Sequence, residues 1–196
     1  MTRTQSCWRL PWLSLIVALA ACSSPNPALY TIAPVAGPEQ SAGPKVVLLQ
    51  QVAVERYLER LQIVRSSESF RLDVMSNDWW GEPLSAMLGR VLVGELGQRL
   101  PRSVVFSESG AVSAQPDATI AVNIQRLDED ATGSLVLQAQ VSVIFKARGT
   151  PTLRGFHFSV TPPTQDVSGE VAAISTAVGR LADGIASLVA AGPTGR

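Results

Sequence analysis

The amino-acid sequence predicts a two-layer α/β (α+β) sandwich, a largely antiparallel sheet with two main amphipathic helices packed on one face. Three observations lead there. Residues 118–126, 135–148 and 152–160 alternate apolar and polar side chains with period two, the pattern of antiparallel strands with one wet face. Residues 83–100 and 168–190 carry apolar side chains at helical spacing. A mostly apolar run at 45–54 adds a buried strand. Two helical stripes and one apolar sheet face bury one another by packing layer on layer.

The chain opens with a different kind of segment. Arg3 and Arg9 precede an apolar stretch at 10–18, which ends in Leu19-Ala20-Ala21-Cys22. That order of charge, apolar core and small residues is a secretory signal peptide over residues 1–21. A spanning helix needs roughly 20 apolar residues. The run at 10–21 is about half that length and includes Pro11. A cysteine just after the cut resembles the bacterial lipobox, in which the thiol carries diacylglycerol and the new amino terminus is acylated. The resemblance implies Cys22 as the lipid attachment, with this covalent lipid in place of any dissociable cofactor. One acyl chain binds a bilayer only marginally, and several bind it durably. Ser23 follows, where an aspartate commonly retains such proteins at the inner membrane. That sorting rule implies the inner leaflet of a Gram-negative outer membrane, with the domain facing the periplasm. The remaining cysteine, Cys7, leaves with the signal, so no disulfide or C-x-x-C pair is available.

Residues 22–28, with Pro25 and Pro27, read as a short tether. A single domain at 29–191 follows, and residues 192–196 form a tail. Residues 28–32 look like a first strand. Pro34, Gly37, Pro38, Gly43 and Pro44 mark a loop ahead of the strand at 45–54. Residues 55–60 read as a turn, then 61–65 and 70–75 as strands. In the first helix Leu84, Met87, Leu88, Val91, Leu92 and Leu96 share a face, and Arg90, Glu95 and Arg99 are expected elsewhere. Pro83 and Pro101 punctuate its ends. Hairpin connections are expected at 128–133 and 149–151. Val171, Ile174, Val178, Leu181, Ile185 and Leu188 form the stripe of the second helix. Its small residues Ala172, Ala173, Gly179 and Gly184 would let it lie close on the sheet.

Composition narrows the chemistry. The 196 residues balance 16 basic against 16 acidic side chains, and losing Arg3 and Arg9 leaves 14 basic. No basic run exists, which argues against nucleic acid as a partner. No G-x-S-x-G, phosphate-binding loop or dinucleotide fingerprint is present. His157 is the only histidine, so any triad or histidine-metal scheme must run through one strand residue expected to face solvent. Asp128-Glu129-Asp130 offers oxygen ligands for a hard cation. Adjacent side chains there diverge, and a solvated turn is the favoured reading. The sequence therefore offers no catalytic residues and no metal-ligand set.

Trp79-Trp80 stands just before the first helix. One tryptophan is expected to plug the helix–sheet seam and the other to lie half exposed. The sharper alternative is a protein or lipid contact, since tryptophan is enriched at interface hot spots and membrane boundaries.

The stretch from Val52-Ala53-Val54 through Tyr57-Leu58-Glu59-Arg60-Leu61-Gln62-Ile63-Val64 carries a wider resemblance. So does Trp80-Gly81-Glu82-Pro83-Leu84, together with the short Tyr30-Thr31-Ile32 strand near the cysteine. The chain resembles the PqiC-like family of ABC-type transport auxiliary lipoproteins. Glu59, Leu61 and Gly81 are mild departures from its pattern. The resemblance implies a non-enzymatic periplasmic subunit of an MCE (mammalian cell entry) type lipid transport system that supports membrane integrity. Its implied partners are an MCE-domain transport subunit and a membrane, and a homo-oligomer is compatible with it. Tyr57, Arg60, Gln62, Trp79 and Trp80 are the candidate partner contacts. The local alternative has Tyr57 packing a strand edge and Arg60 pairing with Glu55, Glu59 or Asp78. The competing function is an outer-membrane assembly or lipopolysaccharide-binding lipoprotein unrelated to MCE transport.

Overall fold

The computed structural model describes residues 26–66 and 70–192. Cys22, the segment expected to be a signal peptide, most of the expected tether and the end of the expected tail lie outside the described residues. Nine strands and two helices follow one another as β1 (Ala28–Tyr30), β2 (Val46–Leu49), β3 (Ala53–Val54), β4 (Gln62–Ser66), β5 (Asp73–Trp80), α1 (Leu84–Arg99), β6 (Val104–Ser107), β7 (Ala118–Glu129), β8 (Leu135–Phe145), β9 (Pro151–Val160) and α2 (Val167–Ala191). The architecture is the expected α+β sandwich.

One long strand organises the sheet. β8 pairs along one edge of β7 in antiparallel register, from Ala118 opposite Phe145 to Glu129 opposite Leu135, and β9 continues that ladder. Along the other edge of β7 run β2, β3 and β4 in series, all parallel to it. β6 adds in parallel outside β2, and β5 adds antiparallel to β4, with β1 parallel on its far side. The antiparallel ladder holds most of the paired residues, and the shorter parallel pairings make the sheet mixed.

The run at 45–54 is therefore two strands rather than one. Gln50 and Gln51 interrupt it, and Gln50 N–H reaches the Ile120 carbonyl at 2.9 Å while the chain turns. β6 escapes sequence reading because four residues on a sheet edge, with Val104 exposed, show no alternation. β5 is longer than expected and carries both tryptophans at its end.

Both helices lie on one face. The α1 stripe of Leu84, Met87, Leu88, Val91, Leu92 and Leu96 is buried to within 1% of full coverage, each such side chain contributing about 1.5–3 kcal/mol. α2 begins at Asp166, whose carboxylate accepts from Gly169 N–H at 2.8 Å. It is long and apolar enough to cross a bilayer, yet most of it is buried inside the domain as a core helix. The small residues explain how: a Cβ on Gly184 would stand 2.3 Å from the Phe156 ring, and one on Gly179 would stand 2.9 Å from Val35 Cβ.

Glu95 and Arg99 overturn the expectation that they face away from the core. Arg99 is fully buried between the helices. Its Nε donates to Asp183 Oδ1 at 2.6 Å, and its other nitrogens donate to the carbonyls of Val35, Glu95 and Gly179 at 3.0, 3.2 and 3.0 Å. Glu95 accepts from Val35 N–H at 2.7 Å. Burial raises the Glu95 pKa, and the Val35 bond and Arg99 oppose the rise. The pair clamps the loop after β1 into the groove between α1 and α2.

Candidate docking site

A one-residue irregularity in β7 shapes the site. Ile124 pairs with Ala139, but Arg126 pairs with Gln138, so β7 bulges between them. Before the bulge the even residues Ala118, Ile120, Val122 and Ile124 face the helices. After it the odd residues Leu127 and Glu129 do, and Asp128 turns to the outer face. The expectation of a solvated Asp128-Glu129-Asp130 turn is therefore corrected: Asp128 is 0% and Glu129 6% exposed. Only Asp130 sits in the turn, where it accepts from Thr132 and Ser134 backbone N–H groups at 2.8 and 3.1 Å. The Thr132 hydroxyl, which donates to the same oxygen at 2.6 Å, holds its pKa down, and the backbone bonds add to the effect.

Asp128 is held from both sides. Arg126 Nε donates to its Oδ1 at 2.8 Å, and the Tyr57 hydroxyl donates to its Oδ2 at 2.8 Å. Tyr57 belongs to the loop between β3 and β4, so this bond ties that loop down over the outer face of the sheet. Leu58 anchors it from below, 3% exposed. Arg60 projects from the same loop into solvent. Of the three local partners expected for Arg60, Glu59 accepts from the Ser85 hydroxyl and Asp78 from the Tyr30 hydroxyl.

Gln62 pairs directly with Trp79, and Trp79 with Leu29 of β1. Directly paired residues share a face, so Leu29, Trp79 and Gln62 form a row across three strands. Trp79 is half-buried, and its Nε1 donates to the Ser76 carbonyl at 3.0 Å. Trp80 faces the other way, is 4% exposed, and packs in the core. It must leave the list of direct contacts, because strand alternation sends neighbouring side chains to opposite faces. The structure thus brings Gln62 and Trp79 into one row, leaves Tyr57 and Arg60 on the loop that leads into β4, and adds Leu29, which sequence reasoning missed for want of a known register.

On the helix side, Arg65 Nε donates to Glu129 Oε2 at 3.1 Å and its Nη2 to the Gln165 carbonyl at 2.9 Å. Glu170 of α2 lies beside them, fully buried, with neither carboxylate oxygen hydrogen-bonded among the described residues. Burial first, then Glu129, pushes its pKa to about 8. His157 is exposed on β9, its Nδ1 3.3 Å from Gln138 Nε2, as its place on the polar face of that strand predicts.

The chain is thus a two-layer domain in which buried polar side chains tie down loops and the outer sheet face carries a row of partly exposed side chains. The family model for the ABC-type transport auxiliary lipoprotein component matches residues 28–186, and the chain belongs to that family. It is thus a membrane-associated auxiliary lipoprotein of a transport system. It is 29% identical to the intermembrane transport lipoprotein PqiC of Escherichia coli (strain K12) over 87% of this chain and 98% of that protein. The Shigella flexneri protein of the same name matches to the same extent. Two solved structures share the fold: an uncharacterized protein with a TM-score of 0.71 at 19% identity, covering 84% of this chain and 99% of that one. A Xanthomonas campestris protein scores 0.70 at 14% identity, covering 84% and 95%.

Proposed function

We propose that this protein is a non-catalytic docking subunit of an MCE-type ABC transport system for lipids or other hydrophobic compounds. Diacylglycerol and N-acyl chains on Cys22 hold it at the inner leaflet of the outer membrane, facing the periplasm. The loop of Tyr57 and Arg60 and the Gln62–Trp79 pair it leads into receive an MCE-domain subunit. Membership of the auxiliary lipoprotein family supports this reading, and so do relatives named for intermembrane transport.

The observation that carries it is the fixed loop itself. The Tyr57–Asp128 bond spends a buried carboxylate on holding a surface loop in place. That holds in place the loop that carries Arg60 and leads into the Gln62–Trp79 pair, and arginine and tryptophan are side chains that anchor interfaces. Photocrosslinking in cells from Arg60 or Trp79 should capture an MCE-domain subunit. Capture of only β-barrel assembly proteins or lipopolysaccharide would overturn the reading in favour of an outer-membrane assembly role.

A further inference from the structure

Two exposed apolar side chains, Phe70 and Leu72, stand just before β5, at the end of the sheet toward which β1 leads back. β1 is parallel to β5, with Ala28 opposite Asp78, so the chain before Ala28 departs toward the start of β5. Ala28 lies six positions after Cys22, an extended reach of about 20 Å. Asp78 likewise lies six positions after Leu72, about 20 Å along a strand. The tether is thus long enough to bring Cys22 level with Phe70-Arg71-Leu72.

Those three residues are unusual for a soluble surface. Phe70 is fully exposed, at 111% of its reference area, and its φ of 65° is a left-handed conformation that costs a bulky residue energy. Arg71 is exposed, and Leu72 is 39% exposed. Exposed polar or small residues surround this end, among them Ala131 and Thr132 of the β7–β8 turn and Thr161, Pro163 and Thr164 ahead of α2. Asp130 and Asp166 are there too, each already satisfied by hydrogen bonds within its own turn or cap.

We propose that Phe70 and Leu72 form a shallow wedge that enters the bilayer beside the acyl chains of Cys22, with Arg71 at the level of the lipid phosphates. This rests on the lipid-anchored reading above. The wedge would orient a domain that the acyl chains alone only tether. It would also set the Arg60 loop and Trp79 at a fixed height above the bilayer.

The test uses the full acylated protein in phosphatidylethanolamine/phosphatidylglycerol vesicles. A thiol-reactive fluorophore is placed at Phe70→Cys and, as control, at Leu153→Cys, which lies at the opposite end of the sheet and is 74% exposed. Under the anchored reading the introduced cysteine is the sole free thiol. Spin-labelled lipids with shallow nitroxides should quench the probe at 70 at least threefold more than the probe at 153. Equal, weak quenching in protein shown by mass spectrometry to be acylated would overturn the wedge and leave the anchor standing. A probe at 70 that is shielded from water yet unquenched by lipid labels would assign the tip to a protein neighbour, and the wedge would fall. An unmodified thiol at Cys22 would overturn anchor and wedge together.

Discussion

Glu170 sets a pH dependence that can be worked out in advance. It lies in the first turn of α2, where the helix end favours an acidic side chain. Here, however, it is sealed from water beside Glu129, Asp128 and Asp73, and Arg65 is committed to Glu129 and Gln165. Its pKa moves from the ordinary 4.5 to about 8. Below pH 4.5 the group is protonated both folded and unfolded and contributes nothing. Between pH 4.5 and 8 the unfolded chain releases the proton and the folded chain keeps it. Stability therefore falls as pH rises through that window, by at most ~1.4 kcal/mol per pH unit from this residue. Above pH 8 both states are ionised and the full cost remains, bounded at roughly 5 kcal/mol. Glu170→Gln keeps the shape and removes the charge. Urea unfolding of the mature domain from pH 4 to pH 9 should show variant and parent equal at the acid end. At pH 8.5 the variant should be more stable by about 2–5 kcal/mol. Parallel profiles for the two proteins would show that Glu170 ionises in the folded state as it does in water, and the argument would fail.

Other expectations follow from the same contacts. Arg99→Leu strands Asp183 and three carbonyls, and equilibrium unfolding should show a loss of about 3 kcal/mol, the lower end for breaking a buried pair because Asp183 is partly solvated. Gly184→Val drives a side chain into Phe156 and should lower stability by about 1–3 kcal/mol, read as a drop in melting temperature. Tyr57→Phe removes one of the bonds to buried Asp128 and should cost about 1–3 kcal/mol. It should also increase proteolytic nicking in the 55–61 loop. Cys22→Ser should release the protein from membrane fractions or leave an unprocessed precursor, and normal membrane retention would contradict the anchor. His157→Ala should leave transport-dependent growth unchanged, whereas a strong loss would point to a chemical role for the imidazole.

The hydrophobic periods set the layers without help from the tertiary structure. Ile120, Val122 and Ile124 had to share a face because successive strand side chains alternate, and the two helical stripes had to meet the apolar face of the sheet because only they could cover it. Cys22 lies outside the described residues, and its reading rests on the linear motif alone. Strand direction was legible only for the alternating, antiparallel strands β7, β8 and β9. The short β2, β3 and β4 carry too few residues to announce a direction, and only the fold decided that they run parallel to β7. Nor could a period-two reading foresee the bulge after Ile124, which exchanged the two faces and buried Asp128 and Glu129. Arg99 looked like a polar flank of α1 until Asp183 and the Val35 and Gly179 carbonyls, each more than sixty residues away in sequence, came together to satisfy it. A pattern along the chain reports which side of an element is apolar. Whether a charge can be buried depends on partners that only folding brings within hydrogen-bonding distance.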